Sequence, residues 1–246
     1  PSLFLPLGRP PTPRERDFRI NRPRNTAQID VANPAAGDWF IGVRGLSNYA
    51  GLSLLASTVI GEPDLIVWPE RLGPYIVTEQ FLEGDCEVEE GLVVPGERKL
   101  LRFTTETRNI GGANLVMGAP LGNPLFEFHD CHGHFHFNEF ASYRLLDLEG
   151  NVAAGGLKVS FWHEGVMPWA LAAPHHARYD CSDQGIQAGW ADIYDSGLPG
   201  QYIDITDVPP GDYLIEITVN PDRVLPESDF LNNTATVPFS IPGADL

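Results

Sequence analysis

Cysteine is scarce in this chain, positive charge is scarcer than negative, and long apolar runs are missing. Three cysteines, Cys86, Cys131 and Cys181, stand among 246 residues. None is spaced as a CxxC redox pair or a zinc finger, and the odd count allows at most one intrachain disulfide. The longest apolar candidate, residues 52–60, is broken by Ser53, Ser57 and Thr58. It falls short of the ~20 residues that span a bilayer, so no membrane partner and a soluble protein are expected. Lysine and arginine number 16 against 33 acids, a net charge of −17. That balance argues against nucleic acid or an anionic membrane surface as partner. It suits cationic ligands such as amines or a high-salt habitat, or serves solubility alone. The opening Pro1-Ser2-Leu3, with no initiator methionine or signal segment, is expected of a mature, processed or trimmed chain.

What is abundant points to β structure. The 25 glycines and 22 prolines favour many short strands and turns over long helices. An apolar content of 43% leaves enough material for a core. The most informative stretch is His132-Gly133-His134-Phe135-His136. On an extended strand, alternate side chains share a face. His132, His134 and His136 are therefore expected together, with Phe135 and Phe137 turned into a core. Imidazole suits copper, zinc, iron and nickel, and divalent copper generally binds most tightly. Three histidines with open positions make a catalytic rather than a structural metal arrangement. The outer two would lie about 13 Å apart on an ideal strand, so a bulge or twist is required, and Gly133 permits one.

Two domains are expected, 1–57 and 58–246. In the first, strands are predicted at 27–31, 39–43 and 51–57, with a turn at Asn33-Pro34-Ala35-Ala36-Gly37-Asp38. That run, continued through Trp39-Phe40-Ile41-Gly42-Val43-Arg44-Gly45 and Tyr49-Ala50-Gly51-Leu52-Ser53-Leu54, resembles the last strands of a pre-peptidase C-terminal β-sandwich module. The leading strands of such a module are missing, as if removed or supplied by a second chain. In the second domain, strands are predicted at 66–67, 92–94, 100–105, the histidine segment, 143–147, 158–162, 202–205, 212–219 and 234–241. Turns fall at 109–112 and 149–151. Residues 172–199 lack a clear period and read as a long functional loop.

From His129-Asp130-Cys131-His132 onward the second domain resembles the lysyl oxidases. The resemblance runs through Glu139-Phe140, Tyr143-Arg144-Leu145-Leu146-Asp147, and Gly156-Leu157-Lys158-Val159-Ser160-Phe161. It continues in Gln184-Gly185, Asp192-Ile193-Tyr194, Ile203-Asp204-Ile205-Thr206-Asp207-Val208, Val219-Asn220-Pro221 and Pro226-Glu227-Ser228-Asp229-Phe230. It spans roughly residues 60–243 in one order. It implies an all-β catalytic β-sandwich with long loops, copper on His132, His134 and His136, and a lysine tyrosylquinone made from Lys158 and Tyr194. The implied reaction turns a primary amine, such as peptidyl lysine, into an aldehyde with O2 as acceptor, releasing ammonia and hydrogen peroxide. Asp192, two residues before Tyr194, is the candidate general base.

The resemblance also implies a Cys131–Cys181 bridge, the pair that proximity to the histidines already favoured. Cys86 is then a buried thiol, and the bridge implies a secreted protein. Glu227, Asp229, Asn232 and Asn233 are hard oxygen donors of the type calcium takes. In relatives similar residues join an aspartate, here Asp64, and the carbonyl of Leu65. Some family features are absent. Ser142 stands where animal relatives carry histidine, Trp190 replaces a cysteine, and Trp162 and Pro168 occupy the region of a further disulfide. His175 and His176 are candidates for the entrance. The competing readings are a non-catalytic extracellular module holding zinc or calcium, zinc also being expected in an unmatured enzyme, and a calcium-stabilised adhesion protein.

Overall fold

The computed structural model describes the chain except residues 1, 13–17, 22–28, 30, 32–36, 46, 49, 55, 57–60, 132, 162–165, 171–172, 175 and 244–246, and the side chains of 18–21, 134, 138–139 and 156–161. It divides into two compact units, Pro1–Thr58 and Val59–Leu246. Among the described residues no helix is long and apolar enough to cross a membrane.

The first unit carries β1 (Ser2–Leu5), β2 (Phe18–Asn21) and β3 (Gly42–Arg44), an antiparallel sheet in the order β2-β1-β3. Alternation along β1 buries Ser2 and Phe4, the period-two signature of a strand with one covered face. The strand expected at 39–43 is shorter and later, with Trp39 forming an isolated bridge to Leu7 ahead of it. The strand expected at 51–57 is not formed by residues 51–54 and 56, which are irregular. Gly51 has a φ of +70, a left-handed angle that interrupts a strand. The prediction at 27–31 falls mostly outside the described residues.

The second unit opens with β4 (Leu65–Val67), a single 3-10 turn at Pro69–Arg71, β5 (Tyr75–Phe81), the short helix α1 (Cys86–Glu89), β6 (Gly96–Arg102), β7 (Thr105–Asn109) and β8 (Leu115–Gly118). Next come β9 (Phe126–His129), β10 (His134–Leu146), β11 (Val152–Phe161) and β12 (Met167–Pro168). The last are β13 (Gln184–Ile186), β14 (Trp190–Tyr194), β15 (Tyr202–Asp204), β16 (Gly211–Val219) and β17 (Thr234–Ile241). The main sheet runs β11-β10-β16-β17, with β9 also on β10. A second sheet runs β12-β14-β7-β4, a third β15-β6-β5, and β13 pairs with β8. The architecture is all-β, as expected.

Alternation places the core. On β16, Tyr213, Ile215, Ile217 and Val219 are buried, and on β10 Phe137, Ala141, Tyr143 and Leu145 join them. Each fully buried Ile or Phe contributes about 1.5–3 kcal/mol. The Phe103 ring meets Tyr143 edge-on at 4.9 Å. Two expectations fail. Residues 92–94 form no strand, because α1 unwinds there with Gly91 at φ +72. Residues 172–199 are not one loop, because β13 and β14 lie within them. Their buried positions set the polar Gln184 and Asp192 beside Ile186, Trp190, Ala191 and Tyr194, a mixture that blurs the apolar period for a sequence reading.

Candidate active site and cation site

The histidine segment is one arm of a hairpin. Register pairs His134 with His129, His136 with Glu127 and Phe137 with Phe126. The Gly133 N–H donates to the His129 carbonyl at 2.8 Å, closing a turn in which Gly133 has φ +69. A left-handed angle costs an L residue roughly 1–2 kcal/mol, so glycine suits the site. The departure from an ideal strand that the spacing required falls at Gly133: β10 starts at His134, and residue 132 lies outside the described residues. Phe137 is buried and meets Phe126 edge-on at 5.3 Å. Phe135 packs on the core's edge and meets Phe128 at 5.2 Å.

His136 is half-buried, its ring stacked on His129 with centroids 4.2 Å apart and planes 16° apart. The Nδ1 of His129 lies 2.9 Å from Oε1 of Glu90, the residue that ends α1. A carboxylate only accepts, so this nitrogen donates. The donor chemistry fits copper, since neutral imidazole is a ligand copper favours. Among the described residues no three His, Cys, Asp or Glu side chains gather as a metal site; residue 132 and the His134 side chain are not among them.

The bridge is Cys86–Cys131, with a Cα–Cα distance of 5.7 Å, within the ordinary span of a disulfide. This corrects the expected Cys131–Cys181 pairing and the buried Cys86 thiol. Helix α1 brings Cys86 up to the histidine hairpin, and Cys131 has only one sulfur to give. Cys181 lies exposed outside the bridge, in a turn where Ser182 N and Oγ donate to Asp180.

Tyr194 and Asp192 alternate along β14 and so share its buried face. The Tyr194 hydroxyl donates to Asp192 Oδ2 at 2.8 Å. A hydrogen bond to a carboxylate is worth about 1.5–3 kcal/mol and is strongest away from water. Lys158 sits on β11 opposite Ser142 of β10, and its side chain is not described. His175 lies outside the described residues, and His176 is half-buried with its carbonyl accepting from Gln187.

The second cluster gathers five of its six predicted members. Glu227 is buried; its Oε2 accepts from Leu65 N at 2.6 Å, and its Oε1 from Asn220 Nδ2 at 2.5 Å and Asn233 Nδ2 at 2.8 Å. Asn232 Nδ2 donates to Asp64 Oδ1 at 2.9 Å. Asp229 is exposed and accepts from Leu231 N. Burial, with the charge of Asp64, pushes the Glu227 carboxyl above the usual range against three hydrogen bonds that lower it. The side-chain oxygens of Asn232 and Asn233 are buried with no hydrogen-bond partner. Leaving such atoms unmet costs about 1–3 kcal/mol each, and a hard cation bound by oxygen would satisfy them. The residues fit calcium.

Sequence reading assigned no part to Glu90, His129 or Asn220. His129, three residues ahead of the trio, was a visible signal; Glu90 had none. Asn220 takes φ 47 and ties Leu225 to Glu227 through its side chain. The Asn220-Pro221 pair was a turn cue for it.

The lysyl oxidase family model matches residues 83–244, wholly within the second unit. Lysyl oxidase homolog 3A of Danio rerio is 40% identical over 148 residues, covering 56% of this chain and 18% of that protein. Lysyl oxidase homolog 2 of Homo sapiens is 34% identical over 186 residues, 70% of this chain and 23% of that protein. Lysyl oxidase homolog 3 of Homo sapiens is 38% identical over 142 residues. The chain thus spans about a fifth of the length of these relatives. With the matched span holding the histidine hairpin, Lys158, Asp192 and Tyr194, this chain belongs to the lysyl oxidase family.

Proposed function

We propose that the chain is a copper-dependent amine oxidase acting on primary amines, peptidyl lysine among them, with O2 as acceptor. Copper would be held by His132, His134 and His136, and the quinone cofactor would form from Lys158 and Tyr194. Such a cofactor supplies an electrophilic carbonyl that no ordinary side chain offers. The observation that carries the reading is the buried Tyr194 hydroxyl donating to the buried Asp192 carboxylate at 2.8 Å. A tyrosine meant only for packing has no need of a buried carboxylate, whose desolvation is costly. Here Asp192 orients the ring and takes up its phenol proton as the ring becomes electron-rich. The same carboxylate stands within reach of any amine brought to that ring, as a general base must.

Calcium bound through Asp64, Leu65, Glu227, Asp229, Asn232 and Asn233 would brace the start of β4 against the segment between β16 and β17. The disulfide fits an oxidising, extracellular setting. The acidic surface fits cationic substrates.

Aerobic copper loading followed by peptide mass spectrometry tests the proposal. The expected result is a Lys158-to-Tyr194 cross-link and amine-dependent peroxide release, with lysine peptides compared against free diamines. Asp192→Asn should keep bound copper while cross-link yield falls at least tenfold. Copper-loaded protein with neither cross-link nor peroxide would refute the oxidase reading and leave a non-catalytic metal-binding module.

A further inference from the structure

We propose that His129, held by Glu90, is a positioning residue that sets the ring of His136, and that it is not itself a metal ligand. The inference rests on the copper reading above and assigns that site a support on the opposite strand. His136 faces Glu127 in the register, and His129 lies two residues further along β9. In an antiparallel pair such diagonal positions are within reach of ring side chains. The contact made is a face-to-face stack, 4.2 Å between centroids and 16° between planes. Rings in near-parallel planes do not converge on one ion at the ~2 Å length of a metal–nitrogen bond. The stack therefore favours a buttress over a fourth ligand.

The buttress is fixed from behind. Glu90 Oε1 accepts a hydrogen bond from His129 Nδ1 at 2.9 Å, with the side chains only 15% and 23% exposed. Glu90 closes α1, its N–H donating to the carbonyls of Cys86 and Val88. Cys86 is bonded to Cys131 in the turn between His129 and β10. The disulfide, the carboxylate and the stack thus form one path from α1 to a proposed ligand. Partners that hold a metal-bound imidazole in one orientation typically change metal affinity 10- to 100-fold when removed.

The test uses the full chain and copper(II), read by electron paramagnetic resonance and by competition with a chelator of known affinity. Wild-type protein should bind one copper with a nitrogen hyperfine pattern. His129→Ala should weaken binding about tenfold or more and shift the copper spectrum. His129→Phe keeps a stacking face without a ligand nitrogen, so it should restore most of the affinity and the wild-type nitrogen pattern. Glu90→Gln, which keeps the shape and weakens the hydrogen bond, should fall between wild type and His129→Ala. Circular dichroism identifies any variant that fails to fold, and the Phe and Gln variants then carry the test. An unchanged spectrum and affinity in His129→Ala would overturn the inference. So would a His129→Phe protein as defective as His129→Ala with one nitrogen fewer, the result expected of a ligand. Wild-type protein that binds no copper would instead sink the oxidase reading itself.

Discussion

Breaking the Cys86–Cys131 bridge should lower stability by an amount the loop length sets. The bridge closes a sequence separation of 45. Chain-entropy arithmetic for a loop of that size gives about 4 kcal/mol at 25 °C. With a urea m-value of about 2 kcal/mol per M, the unfolding midpoint falls by about 2 M. The assay is urea unfolding of wild type, Cys86→Ser, Cys131→Ser and the double variant, followed by tryptophan fluorescence. Both single changes remove the same covalent link, so the two should be alike and the double variant hardly worse, the non-additive result expected of coupled partners. Cys181→Ser leaves the link intact and should stay near wild type. Non-reducing peptide maps should show the Cys86 and Cys131 peptides joined. If Cys181→Ser costs as much as Cys131→Ser while Cys86→Ser is silent, the pairing described above is wrong.

Three other measurements follow from the geometry. Burial pushes the Tyr143 phenol up to about 12. Above pH 10 the unfolded chain gives up that proton while the native chain keeps it, so the contribution is full below pH 10 and lost as pH rises to 12. It amounts to roughly 2–3 kcal/mol, and Tyr143→Phe should lack this slope in alkaline unfolding curves; identical slopes would show the phenol does not titrate late. Glu106 is buried between Arg71 at 2.9 Å and Arg108 at 2.5 Å. Glu106→Gln should cost about 2–3 kcal/mol in urea unfolding, because it leaves the largely covered Arg108 guanidinium without its carboxylate while Arg71 can turn to solvent, and a loss below about 1 kcal/mol would contradict that. Calcium at a hundredfold excess over its Kd should stabilise the chain by about 2.7 kcal/mol, seen as a higher Tm that EDTA reverses. Asn233→Ala should abolish that gain; a gain that persists would move the site elsewhere.

What could be read from the sequence, and what could not, divides by how far apart the partners lie along the chain. Period-two alternation is a local property, so the all-β class and the buried faces of β10 and β16 were legible before any coordinates. Asp192 and Tyr194 were named through the family resemblance, in a stretch read as loop; that their spacing of two puts both on one buried face shows only once β14 is seen. The spacing alone could not show that the hydroxyl reaches the carboxylate. The strands within 172–199 escaped because they are short and because the buried polar Gln184 and Asp192 stand among the apolar Ile186, Trp190, Ala191 and Tyr194 and break a clean period.

The surroundings of the histidines were hidden for a different reason. A departure from an ideal strand at Gly133 was expected; its form, a hairpin turn leading into β10, shows only in the register with β9. The partners of that hairpin, Cys86 and Glu90, lie 45 and 39 positions away. Proximity to the histidines picked Cys131 correctly and its partner wrongly, because the disulfide follows from where α1 docks. The ligand residues of a site therefore announce themselves through local spacing. The residues that hold them in place are recruited from distant chain, and they are found by asking what each ring, carboxylate and sulfur touches.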